Sequence, residues 1–98
     1  MKKEDAKEEK IRKMLKEDNY KSILYELTEI SEHKVGDYNK SGIIHRIAKK
    51  LFPGKNDGVS MTISAFESFE EYGVTETYGN VLRVTNITLR YASRKSRK

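Results

Sequence analysis

Any chemistry in this 98-residue chain has to come from two histidines, a cluster of four glutamates, a glycine-flanked lysine and an excess of basic side chains, because cysteine is absent. The missing cysteine removes thiol nucleophiles, Cys-ligated zinc or iron–sulfur centres and disulfide frameworks together. His33 and His45 stand twelve residues apart, with no paired carboxylate at ligand spacing, and do not match a helical i, i+4 metal pair. Glu67, Glu70, Glu71 and Glu76 lack the Asp, Asn and Gly at fixed offsets that build a cation loop, and read as a solvated acidic face. Gly54-Lys55-Asn56-Asp57-Gly58 has neither the glycine spacing nor the Lys-Ser/Thr pair of a phosphate-cradling loop. The expectation is a non-enzymatic protein with no catalytic residue, no metal site and no cofactor; a catalytic role would need residues supplied by a partner.

What remains is charge. The formal net charge is +5 and the isoelectric point about 9.4. Residues 1–36 balance nine basic against nine acidic side chains, and residues 59–78 carry four acids and no base. Residues 37–58 hold five bases and two acids, and residues 79–98 six bases and no acid. Such segregation is expected of an anion-binding face. The candidate phosphate-facing residues are Lys40, Arg46, Lys49, Lys50, Lys55, Arg83, Arg90, Arg94 and Lys95, with Asn39, Lys40, Arg46 and Lys50 as the side chains able to reach base edges. Lys49 and Lys50 would also complement the negative end of a helix dipole. Five to seven phosphate contacts would give a log–log salt dependence of about −5 to −6. Duplex DNA is favoured over single-stranded DNA or RNA, for which Phe69, Tyr78 and Tyr91 are the candidate stacking faces.

Residues 66–78 support a different class of function. They interleave four aromatics with four carboxylates. Through Phe69, Glu70, Glu71, Tyr72 and Tyr78 such a segment would engage a basic protein patch or a second copy of the chain. On that reading the chain is a protein-binding module or small inhibitor, in keeping with a thin core that a homodimer interface would supplement.

These side chains need elements to hold them. Leu, Ile, Val and Phe number 22, enough for one small core. Ile11, Met14 and Leu15 give a short helical spacing within a charged segment, 1–17, whose first residues are expected to be mobile. Tyr20, Ile23, Leu24, Leu27 and Ile30 predict a helix from Asp18 or Asn19 to Val35-Gly36, with Gly36 as its left-handed cap. Ile43, Ile44, Ile47, Ala48 and Leu51 predict a second helix within 37–52, with a cationic outer face and Pro53-Gly54 as its stop.

Val59, Met61, Ile63 and Ala65 alternate as a strand over 59–66, in competition with a short helix capped at Ser64. Residues 81–91 read as a second strand with a bulge at Thr85-Asn86, followed by a flexible basic tail at 93–98. The expected fold is α+β: two to three N-terminal helices, then an antiparallel β-hairpin or small sheet, in a single domain at 18–92. This order resembles the general plan of a winged helix, in which one helix enters the major groove and a hairpin flanks it. No apolar run approaches the roughly 20 residues a bilayer requires, so no membrane partner is expected. The charged start predicts a cytoplasmic protein. The combined expectation is a small regulatory or accessory protein acting on nucleic acid.

Overall fold

In the computed structural model, the backbone of residues 2–96 and the side chains of residues 6–92 are described. Helix α1 (Lys2–Met14) is held by the apolar spacing read above: Ile11 is buried, with Met14 and Leu15 half-buried beside the core. Helix α2 (Asp18–Ile30) buries Ile23, Leu24, Leu27 and Thr28. It stops at Ile30, six positions before the expected cap at Gly36. The Glu32 amide donates to the Glu29 carbonyl at 3.1 Å and the His33 amide to Thr28 at 2.8 Å, closing the helix end with Glu32 and His33 at φ 57° and 60°. Gly36 instead opens strand β1 (Gly36–Asn39), which the sequence placed partly inside the next helix.

Helix α3 (Lys40–Leu51) buries Ile43, Ile44, Ile47 and Ala48 and ends at Phe52-Pro53 as expected. Residues 58–71 then correct the sequence reading. They form helix α4 (Gly58–Glu71), burying Gly58, Thr62, Ala65, Phe66 and Phe69, where a strand over 59–66 was expected. The period-two alternation of Val59, Met61, Ile63 and Ala65 was incidental, because Phe66 and Phe69 bury fully only on a helical face. Each is worth about 1.5–3 kcal/mol of transfer free energy, and Tyr20 meets Phe69 edge-on at 6.2 Å between ring centroids.

The hairpin is β2 (Thr75–Tyr78) and β3 (Val81–Val84), joined through Gly79 at φ 61° and Asn80. A glycine in that conformation at the first central position suits a two-residue hairpin turn. The sheet is antiparallel with β3 in the middle, in the order β1-β3-β2. Leu82, Val84 and Thr75 face the core, while Asp37, Glu76, Tyr78, Val81 and Arg83 face outward.

Strand β3 is shorter than the expected 81–91. The phase change at Asn86 is the start of helix α5 (Asn86–Ser96), not a bulge. Thr85 Oγ1 accepts the Ile87 and Thr88 amides, and Thr88 Oγ1 accepts the Thr85 amide at 3.0 Å, a reciprocal cap. Thr88 also donates to the Val74 carbonyl, tying α5 to the start of β2. Residues 93–96, expected in a flexible tail, are helical backbone in the last turn of α5. The architecture is α+β, but helices lie before, between and after the strands rather than ahead of them.

Candidate nucleic-acid interface

Helices α3 and α4 are consecutive and packed together, and the turn between them admits no slack. A Cβ on Gly58 would stand 2.9 Å from Phe52 Cβ, so a hydrogen at this position lets the first turn of α4 press on the end of α3. That close approach buries Thr62, Ala65, Phe66 and Phe69 and turns the opposite side of α4 to solvent. Ser60, Ile63, Ser64, Glu67 and Glu71 are all exposed, spaced i, i+3, i+4, i+7 and i+11 on one stripe. None is basic, and Ile63 keeps 39 % of its surface exposed.

The cations expected to face phosphate fall into separate settings. Arg46 and Lys49 are exposed on α3 and Lys55 in the turn leading into α4, with no ion pair among the described residues. Lys40 is engaged elsewhere: its ammonium lies 2.7 Å from Glu70, only 20 % of the side chain is exposed, and Thr77 donates to the same carboxylate. Lys50 reaches Glu26 on α2 at 3.2 Å, though it stays largely in solvent.

Arg83 sits in the middle strand between two acids. It donates to Asp37 through Nε at 2.8 Å and Nη2 at 3.2 Å, lies 3.9 Å from Glu76, and stacks 4.9 Å above the Tyr78 ring. Hydrogen bonding to Arg83 lowers the Asp37 pKa, and the same bond raises that of the guanidinium. The Tyr78 phenol, donating to Glu76 at 2.9 Å, is pushed up chiefly by that bond. Two carboxylates about one guanidinium leave this sheet face without a positive surplus, and Arg83, expected to face phosphate, ties β3 to β1 through Asp37.

Arg90 borders a cleft of about 310 Å³ between α1, the end of α4 and α5, with Lys7, Ile11, Tyr72 and Tyr91 among its neighbours. The side chains of Arg94 and Lys95 lie outside the described residues.

The hairpin tip is also committed. The Lys40 amide donates to the Asn80 carbonyl at 2.8 Å, the Ser41 amide to Asn80 Oδ1 at 3.2 Å, and the Gly42 amide to Asn39 Oδ1 at 2.8 Å. The first three amides of α3, which would otherwise attract an anion, are thus satisfied from within the chain. Asn39, expected to be able to reach a base edge, is the cap of α3, with its Oδ1 taken up by the Gly42 amide.

Of the acidic–aromatic segment, Phe69 is wholly buried, Tyr72 half-buried and Glu70 paired, leaving Glu67 and Glu71 exposed on α4 and Glu76 and Tyr78 on β2. Residues 66–78 therefore do not present one surface.

Sequence reasoning missed that Ser60, Ile63 and Ser64 share an outward stripe with Glu67, because it placed 59–66 in a strand and read Glu67 only as part of an acidic face. The readable signal was Thr62, Ala65, Phe66 and Phe69 at i, i+3, i+4 and i+7. Among the described residues no group of three or more His, Asp or Glu side chains gathers where a cation could be held, and no helix is long and apolar enough to cross a membrane. No family model, curated protein or solved structure matches this chain.

Proposed function

We propose that the chain is a non-enzymatic nucleic-acid-binding protein of regulatory or accessory role, engaging duplex DNA with α3 and α4 as a helix-turn-helix pair. The succession α2-β1-α3-α4-β2-β3, with β3 between the other strands, supports the winged-helix plan. In that plan the second helix of the pair lies in the major groove and its amino-terminal residues meet base edges, while the first crosses the backbone.

The observation that carries the reading is the outward stripe of α4. Its amino-terminal half is uncharged, with the exposed Asp57 at its cap and Lys55 and the α3 cations just ahead of it in the chain, and the acids within the helix are confined to its carboxy-terminal half. The hairpin, with its tip docked on α3, acts as a brace and not as a wing that reaches the minor groove.

With Lys40 and Arg83 engaged in ion pairs, the phosphate contacts reduce to Arg46, Lys49 and Lys55, supplemented by Lys50 or the basic residues beyond 92. About three to four contacts give a log–log salt slope of about −3 to −4, shallower than the sequence alone implied. Fluorescence anisotropy of the full chain on duplex DNA, single-stranded DNA and RNA of equal length, titrated from low to moderate salt, tests this. The triple variant Arg46→Ala, Lys49→Ala, Lys55→Ala should flatten the slope by about 3. A variant that keeps wild-type affinity and slope would remove α3 and α4 from the interface.

A further inference from the structure

Resting on that reading, we infer that His45 is a further phosphate contact on α3, made only when its imidazole is protonated, so that affinity for the DNA backbone rises in mild acid.

Burial of Ile43, Ile44, Ile47 and Ala48 turns His45, Arg46 and Lys49 to solvent. Spacings of four and three residues make His45 and Arg46 both neighbours of Lys49 on the helix surface. Gly42, one turn earlier, adds no side chain to this face, and α3 contains no acid.

A bond within the helix fixes the tautomer of the ring. His45 Nδ1 lies 2.9 Å from the Ser41 carbonyl oxygen. That oxygen can only accept, so Nδ1 carries the hydrogen and Nε2 of the neutral ring keeps its lone pair. Phosphate oxygens are acceptors too, and the neutral ring therefore offers them nothing. A proton taken from solvent converts Nε2 into a charged donor beside two permanent cations.

Nothing inside the chain competes for that donor. Glu26 on α2 meets Lys50, Glu70 on α4 meets Lys40, and Asp37 and Glu76 on the sheet surround Arg83. Asp57, Glu67 and Glu71 form no ion pair with His45 among the described residues. His33 differs, since it already has Glu29 at 3.1 Å. Charging His45 next to Arg46 and Lys49 is opposed in the free chain, and a phosphate at Nε2 relieves that repulsion. Duplex binding and proton uptake are therefore linked, each favouring the other.

Fluorescence anisotropy of the full chain on one duplex, titrated with salt at about pH 5.5 and about pH 8, on either side of the range in which imidazoles change charge, tests this. The wild-type log–log slope should be steeper in acid by about 0.9, the worth of one phosphate contact. His45→Gln should give the shallow slope at both pH values and His45→Arg the steep one at both, while His33→Gln should behave as wild type. Calorimetry in buffers of different ionisation enthalpy should find proton uptake on binding near neutral pH that His45→Gln loses. His45 is exposed, so far-UV circular dichroism should show its variants folded at both pH values.

A wild-type slope equal at the two pH values, or a pH dependence that survives in His45→Gln or disappears in His33→Gln, would overturn the inference while leaving backbone binding intact. Failure to bind any duplex at either pH, even at low salt, would overturn both this inference and the function it rests on.

Discussion

Replacing Asn80 by alanine tests whether the hairpin is a brace. The substitution removes two bonds, from the Ser41 amide at 3.2 Å and to Ser41 Oγ at 3.3 Å, and spares the 2.8 Å bond from the Lys40 amide to the Asn80 carbonyl. The residues involved are exposed, so water partly replaces what is lost, and the longer bond between two side chains contributes little. The amide bond is worth about 1 kcal/mol, the usual value of a helix-capping contact. For a chain near 100 residues that lowers the melting temperature by about 5 °C. With a urea m-value of about 1–2 kcal/mol/M, the midpoint falls by about 0.5–1 M at unchanged slope.

Asn80→Asp is the informative control. Its carboxylate keeps an acceptor for the Ser41 amide and adds negative charge at the positive end of α3, so stability should hold or rise by about 0.3–1 kcal/mol at low salt. Urea unfolding followed by far-UV circular dichroism reads both variants. An alanine variant within about 0.3 kcal/mol of wild type, or an aspartate variant as weak as alanine, would refute the docking of the hairpin on α3.

Three further outcomes follow from other parts of the molecule. Gly58→Ala pushes a methyl against Phe52 and should destabilise by about 1–3 kcal/mol, with a matching loss of duplex binding as α4 shifts; chemical unfolding and anisotropy check the two effects. Glu32→Gly should stabilise by about 0.5–1 kcal/mol, because it relieves a left-handed non-glycine residue at the end of α2, and a thermal melt measures it. The depressed pKa of Asp37 means that its bond to Arg83 stabilises fully above about pH 3.9, the value for an unfolded-state aspartate, and is lost as pH falls through the lower folded-state value. Melting temperatures of wild type and Asp37→Asn should therefore differ near neutral pH and converge in strong acid.

The α2 stripe from Tyr20 to Leu27, the α3 stripe from Ile43 to Leu51 and the Pro53-Gly54 stop were legible from local pattern, because a 3.6-residue apolar period and a proline act within one turn of chain. The charge surplus in residues 37–58 was legible too. Whether a cation would be open to phosphate was not. Lys40 meets Glu70, and Arg83 meets Asp37, across 30 and 46 residues of sequence, and only folding brings such partners within reach of each other.

Strand β1 shows the same limit. Gly36–Asn39 has no strand signature of its own and becomes one because Val81–Val84 offers a free edge with a guanidinium opposite Asp37. Residues 86–91 carry β-branched and aromatic side chains, yet Thr85 caps them into a helix whose Thr88 and Ala92 face the core. Tertiary burial outweighs a propensity of a few tenths of a kcal/mol per residue. Composition and periodicity thus determined that this chain has a small core, two firm helices and a basic surplus. Which cations stay open, and that α4 turns Ile63 and Glu67 outward, was decided by long-range packing, because both depend on what lies opposite each side chain in space.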